Sequence, residues 1–249
     1  AILSLENLAK DSFSSLKTIL SAGSPLRLDV KENILTSMSE NLFELYGFSE
    51  GFATMLKPHD QRKKISSVGT PVLGFEIKII DEKGMECPPN VAGEIAGYGA
   101  GMMKEYYREP ELTKNLIWID NRGRSFIKSG DIGSLDQDGF LTILDRKKDM
   151  IISGGLNVFP VDIEEVVGKH PDIIDVTVIG VPHDKWGETC LALIIPKNGV
   201  EIDCDEVKKW CNERLAKHQR LHNVEIREEF PRNALGKVLK RVLREPYWS

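Results

Sequence analysis

The sequence reads as a mixed α/β and α+β chain in three successive stretches. First, an apolar run at Leu16 to Ala22, helical spacing over residues 28–40 and a second apolar run at Leu42 to Tyr46 make a strand–helix–strand unit. Second, residues 65–145 hold short apolar segments separated by turn residues, the signature of an antiparallel β unit. Third, beyond the charged knot Asp145 to Asp149, helical and strand patterns alternate as in a compact α+β domain.

Each element has a local reason. LKTILSA ends in Gly23-Ser24-Pro25, which suits a buried parallel strand with a loop at its carboxyl end. Val30, Ile34, Leu35 and Met38 share one side of the following helix. The second strand ends in Gly47-Phe48-Ser49-Glu50. In open α/β sheets ligands bind off the carboxyl ends of strands, so both loops are candidate sites, although Gly/Pro/Ser clusters are also plain turns. Phe75 to Asp81, Gly93 to Tyr98 and Ser125 to Lys128 read as strands, and Glu109 to Lys114 as a helix with Pro110 in its first turn. Lys128 to Asp131 reads as a polar turn, and Phe140 to Leu144 as the next strand. Five consecutive charges are costly to bury, so the knot after it is expected to be exposed and to mark a boundary between packed units.

Downstream, Ser153-Gly154-Gly155 forms a loop, and Pro160 to Lys169 is helical with Asp162, Glu164 and Glu165 in its dipole-favoured first turn. Strands are expected at Ile173 to Val181, Leu191 to Pro196 and Val224 to Phe230, and helices at Asp205 to Ala216 and Lys237 to Arg244. No internal repeat or low-complexity tract is visible.

Composition narrows the function. The chain has 249 residues and a formal net charge of −5, which argues against a nucleic-acid backbone as the main partner. No apolar run is long enough to span a bilayer, and the N-terminal AILSLENLAK lacks the basic flank of a signal peptide. Cys87, Cys190, Cys204 and Cys211 show no zinc-ligand spacing and read as free thiols of a cytoplasmic protein. His218 and His222 have helical spacing but lack companions that would make a metal centre.

Several short segments, weak singly, are specific in their order and spacing. They are Ser21 to Leu26, Tyr46-Gly47-Phe48-Ser49-Glu50, Gly93-Glu94-Ile95 with Tyr106 to Thr113, Ser129-Gly130-Asp131, Asp145-Arg146 through Glu164, and Pro231 through Gly236-Lys237. Together they resemble the C-terminal half of an adenylate-forming enzyme, the superfamily of acyl-CoA synthetases, luciferases and peptide-synthetase adenylation domains. Two departures are Ser49 where the family has Thr and Glu105 where it has Gly.

The resemblance implies an organisation. Residues 1–145 would close the large AMP-binding domain, as an α/β piece (1–64) and an antiparallel β-barrel-like subdomain (65–145). Residues 145–148 would be a hinge, with Lys148 at its pivot, and 149–249 a small mobile lid domain. It also implies ATP-dependent adenylation of a carboxylic acid, release of pyrophosphate, and transfer of the acyl group to coenzyme A. Asp131 would accept both ribose hydroxyls, and Arg146 would reach the ribose or phosphate. Gly23 and Ser24 would border the adenine, Tyr46 would pack on it, and Gly47 would be a further nucleotide-binding position. Ser49 would donate to the α-phosphate and Glu50 would hold Mg²⁺. Lys237 would be the mobile catalytic lysine, and Gly154 and Gly155 would let pantetheine pass close to backbone.

Outside this context the same residues have ordinary readings. Ser-Gly-Asp is commonly an Asx turn, Gly154-Gly155 a β-turn, Glu50 a surface carboxylate and Lys237 a surface lysine. The family's glycine-rich phosphate loop is not in these residues, so further sequence is expected to precede Ala1, and this chain alone is expected to be inactive and open to self-association. A non-catalytic nucleotide- or acyl-binding module and a carrier-protein-loading adenylation domain are the alternative functions.

Overall fold

The computed structural model describes residues 13–234 and 236–248. The reading of residues 1–10 as lacking a signal peptide lies outside the described residues. The chain forms two compact units, Ala1–Ile143 and Leu144–Ser249.

In the first unit, β1 (Ile19–Ala22) leads through α1 (Leu28–Ser37) to β2 (Leu42–Gly47). β1 and β2 are parallel, with Ala22 opposite Leu45, so their following loops leave the same edge. Ile34 and Leu35 of α1 pack on Leu42, as the helical spacing predicts. Lys31, on the same face, is also buried and pairs with Glu44 at 2.5 Å.

β3 (Ala53–Leu56), α2 (Pro58–Gln61) and β4 (Thr70–Pro71) follow and were not legible in the pattern. The two strands extend the sheet to the order β1-β2-β3-β4. The β unit comprises β5 (Phe75–Ile80), β6 (Gly93–Gly99), α3 (Pro110–Leu116), β7 (Ile117–Ile119), β8 (Ser125–Leu135) and β9 (Leu141–Arg146). Its five strands have the order β5-β6-β8-β7, with β9 paired to β8. Phe52, Ile77, Ile79, Ile95 and Leu141 form the core beneath it.

Lys128 to Asp131 is not a turn, as expected from its composition, but part of the eleven-residue strand β8. Ala96 pairs with Lys128 whereas Glu94 pairs with Ile132, so Ser129, Gly130 and Asp131 oppose Ile95 alone. Extra residues on one strand make a bulge, which bends the strand and re-aims its side chains. Gly130, at φ 72°, supplies the left-handed conformation this requires.

The second unit adds β10 (Ile151–Ser153), β11 (Leu156–Val158), α4 (Pro160–Val167), β12 (Ile173–His183), β13 (Gly187–Pro196), α5 (Cys204–Asn212), β14 (Leu221–Ile226) and α6 (Lys240–Arg244). Its sheet has the order β11-β10-β13-β12, with β14 parallel to β13. Ile163, Val167, Val178, Ala192, Val207 and Cys211 fill the space between helices and sheet. Asp203 caps α5 by accepting from the amides of Asp205 and Glu206.

Four further expectations are corrected. The final helix begins at Lys240 rather than Lys237, because Asn233 holds both the amide and the carbonyl of Lys237 in a small loop. The last strand ends at Ile226, although Phe230 is still buried. The charged knot is not wholly exposed: Asp145 and Arg146 end β9 and are half-buried, while Lys147 and Lys148 face solvent. His218 lies in a 3-10 turn and His222 in β14, so no helix relates them.

Candidate active site

In the first unit the site grows from the shared edge of β1 and β2. Gly23 has φ 87° with open space around it, so the turn itself requires glycine. Gly47 is different: a Cβ there would lie 2.5 Å from the Phe52 carbonyl, so close approach of β2 and β3 excludes a side chain. Between these strands, Gly51 donates to the Phe48 carbonyl at 3.2 Å and closes a tight turn presenting exposed Ser49 and half-buried Glu50.

Two hydrogen bonds connect this edge to distant sequence. The Tyr46 hydroxyl donates to Asp131 Oδ2 at 2.7 Å. Asp131 is only 5% exposed, and its amide donates to Ser129 Oγ at 3.0 Å. The bulge of β8 therefore delivers a buried carboxylate to the tyrosine of the YGFSE segment. The Tyr46 ring meets the Phe52 edge, with centroids 5.9 Å apart. The second bond runs from the Tyr106 hydroxyl to Glu50 Oε1 at 2.6 Å. This bond to a carboxylate raises the tyrosine pKa and keeps the hydroxyl a donor.

Tyr106 lies within one of the motif segments, but the sequence implies no role for it. No local sequence signal marks the contact with Glu50; in the structure the Thr113 hydroxyl accepts from the Tyr106 amide at 2.9 Å. Glu50 fits a hard cation: one oxygen is oriented by Tyr106, and among the described residues the other accepts no bond. One carboxylate with substrate phosphates is a usual magnesium donor set.

The remaining candidates belong to the second unit. Arg146 is half-buried at the end of β9, and its amide donates to Asp145 Oδ1 at 2.6 Å. Gly154 and Gly155, with φ 59° and 80°, form the two-residue turn joining β10 and β11. Positive φ at both centres is the type I′ pattern that suits hairpin twist. The ordinary β-turn reading is the one the structure shows. The Trp186 ring lies over Gly154, so that a Cβ would be 2.9 Å from its Cε3. Lys237 sits half-buried in the loop before α6, far along the chain from the glycine hairpin.

This unit also holds a charge cluster that the sequence did not reveal. Lys240 Nζ lies 2.8 Å from Glu164 Oε1, with Asp145 and Asp149 nearby. Burial lowers the Lys240 pKa, but the surrounding carboxylates outweigh it and hold the amine above the usual lysine range. Burial raises the Asp145 carboxyl, opposed by Lys240.

The profile described as "AMP-binding enzyme" matches residues 1–107, and that described as "AMP-binding enzyme C-terminal domain" matches 162–237. A long-chain-fatty-acid–CoA ligase of Salmonella typhimurium is 34% identical over 246 residues, covering 98% of this chain and 43% of the relative. A 2-succinylbenzoate–CoA ligase of Geobacillus kaustophilus is 38% identical over 205 residues, or 82% of this chain and 41% of the relative. The crystal structure of ATP-bound MatB from Rhodopseudomonas palustris superposes with a TM-score of 0.90 at 32% identity, covering 99% of this chain and 48% of that one. The chain thus spans a little under half the length of these relatives.

Proposed function

The chain belongs to the AMP-binding enzyme family, and from that premise we propose that it is the C-terminal portion of an ATP-dependent acid–thiol ligase. The first half-reaction joins a carboxylate oxygen to the α-phosphorus of ATP as the bond to pyrophosphate breaks. In the second, the thiol of coenzyme A attacks the acyl carbon, loses its proton, and AMP leaves. Activation is needed because an oxide is a poor leaving group and AMP a good one.

The Tyr46–Asp131 pair carries this reading. A buried carboxylate is acceptor-only, with two oxygens to receive paired ribose hydroxyls. The Tyr46 bond fixes its orientation before nucleotide arrives. Gly23 and Ser24 border the base at the shared strand edge, with Gly47 ending the neighbouring strand beside it. Ser49 donates to the α-phosphate, and Arg146 adds positive charge at the ribose or phosphate. Glu50 holds Mg²⁺, which neutralises phosphate charge when bound. Lys237, a point charge on a flexible stem, bridges the acid and the α-phosphate and stabilises charge as the new bond forms. Gly154 and Gly155 give pantetheine a passage close to backbone.

The test is acid-dependent exchange of pyrophosphate into ATP by the full-length enzyme, across a panel of acyl and aryl acids. Lys237→Ala is expected to abolish exchange while sparing thioester formation from supplied acyl-adenylate. Equal loss in both steps would sink the role of Lys237, and no exchange with any acid would overturn the ligase assignment.

A further inference from the structure

The loop that carries Lys237 is held at both of its ends by charged side chains that anchor to the same strand. On its incoming side, Arg232 pairs through Nη2 with Asp175 of β12, and its Nη1 donates to the Gly236 carbonyl at 2.7 Å. On its outgoing side, Lys240 pairs with Glu164 at 2.8 Å. The same Glu164 oxygen accepts from the Val178 amide of β12 at 2.7 Å and from the Thr177 hydroxyl at 3.2 Å. Glu164 is therefore not a loose surface carboxylate but a post bonded to the strand's backbone.

Between these anchors the loop closes on itself. The Leu239 amide donates to the Pro231 carbonyl at 2.8 Å, and the Lys237 amide donates to Asn233 Oδ1 at 2.9 Å. Arg232 and Val238 form an isolated antiparallel bridge. Phe230 and Val238 pack on Ile179 and Val181 of β12. The Lys240 side chain is mostly buried, at 15% exposure. A buried amine is costly unless paired, so its alternatives to the Glu164 contact are few.

We propose that Lys240 and Arg232 are positioning residues: through Glu164 and Asp175 they fix the loop on β12 and so set where Lys237 can reach. This rests on the catalytic role proposed for Lys237. The mobility needed in its side chain is then confined to the side chain itself, because the backbone at Gly236 and Lys237 is clamped. A misplacement of about 1 Å costs about a hundredfold in rate when a catalytic group must be oriented, so a loosened clamp is visible in kinetics.

The experiment uses the full-length enzyme with Lys240→Met, Lys240→Arg and Arg232→Gln. Lys240→Met is expected to slow adenylation by about tenfold or more, with acyl transfer from supplied acyl-adenylate changed by less than about twofold. Lys240→Arg, which keeps the charge, is expected to restore most of the rate. Arg232→Gln, on a half-exposed pair, is expected to give a smaller loss of the same kind. Added to Lys237→Ala, Lys240→Met is expected to produce no further loss, since both act through one group. Equal slowing of both half-reactions, no rescue by arginine, or additive losses would overturn the proposal.

Failure of the underlying reading is separable. If Lys237→Ala keeps full adenylation, Lys237 is not catalytic. The clamp is then judged by hydrogen exchange at the Gly236 and Lys237 amides, expected to quicken about tenfold in Lys240→Met. Unchanged exchange would overturn the clamp as well. Lys240→Met with Glu164→Gln removes the unpaired buried charge and serves where Lys240→Met alone fails to fold.

Discussion

Asp131→Asn offers the sharpest test of the nucleotide site. The substitution keeps shape and burial but turns one carboxylate oxygen into a donor and removes the charge. Asp131 is 5% exposed and its Oδ2 already receives the Tyr46 hydroxyl at 2.7 Å. Bonds to charged groups contribute about 1.5–3 kcal/mol and neutral ones about 1 kcal/mol, so each ribose hydroxyl loses about 0.5–2 kcal/mol. Two hydroxyls give about 1–4 kcal/mol, roughly 5- to 1,000-fold in Kd. The assay is calorimetric titration of the chain with AMP and with its 2′,3′-dideoxy analogue. The penalty is expected with AMP and should nearly vanish with the analogue, which lacks the hydroxyls. Tyr46→Phe should cost AMP binding only about 1–2 kcal/mol, because the ribose contacts survive while their orientation loosens. Equal weakening toward both nucleotides would refute the reasoning, since Asp131 would then be supporting the fold rather than reading ribose.

Other expectations follow from single contacts. Tyr106→Phe removes the donor that orients Glu50 and should weaken apparent Mg²⁺ affinity in adenylation by about fivefold, or about 1 kcal/mol, and an unchanged Mg²⁺ titration would count against Glu50 as the ligand. Gly154→Ala meets both φ 59° and the Trp186 ring at 2.9 Å, whereas Gly155→Ala meets only its φ of 80°. Both should lower stability by about 1–2 kcal/mol from left-handed strain, with Gly154→Ala the larger loss, and equal melting shifts would show that Trp186 yields freely. Arg124 holds Glu76 below the usual carboxylate range by hydrogen bonding; at Asp120 burial pushes upward but the Arg124 and Arg122 bonds prevail. These depressed carboxyls stabilise the fold above the unfolded carboxylate range and lose that contribution as pH falls through their folded pKa, so Arg124→Gln should flatten the fall in Tm between about pH 5 and pH 2. A parallel fall in both proteins would rule the cluster out.

Much of the candidate site was legible because its residues sit in short, contiguous segments. Tyr46 to Glu50 follows an apolar strand, and the strand–helix–strand order sends its loop to the same edge as Gly23-Ser24. The pair Tyr46 and Asp131 was legible as two candidates but not as one bond. That bond depends on the bulge opposite Ile95, and a bulge is set by the partner's register, which the β8 sequence does not contain by itself. Polar Ser-Gly-Asp therefore looked like a turn. The strands β3 and β4 escaped for a related reason: ATML is short, and Thr70–Pro71 is two residues long, so neither develops a period.

Buried lysines expose a different blind spot, and only half of it was avoidable. Lys31 shares its helix face with Ile34 and Leu35, at the three- and four-residue spacings that define a buried stripe. Glu44 alternates with Leu42, so period-two reasoning places it on the inward face of β2. Two opposite charges, each aligned with buried neighbours, should be read as a pair, and they lie 2.5 Å apart. Burial still pushes the Glu44 carboxyl upward, so Lys31 reduces the desolvation cost without cancelling it. Lys240 offers no comparable signal. Its helix is five residues long, too short for a stripe, and Lys-Arg-Val-Leu-Arg reads as a solvated face. Its partner Glu164 lies one turn into α4, past the acidic Asp162 of the first turn, and reads there as one more exposed carboxylate. What buries the pair is the return of the chain's end onto β12, a tertiary event with no local trace. Charge clusters built by such returns are found from the fold, and the loop they hold here is the one bearing Lys237.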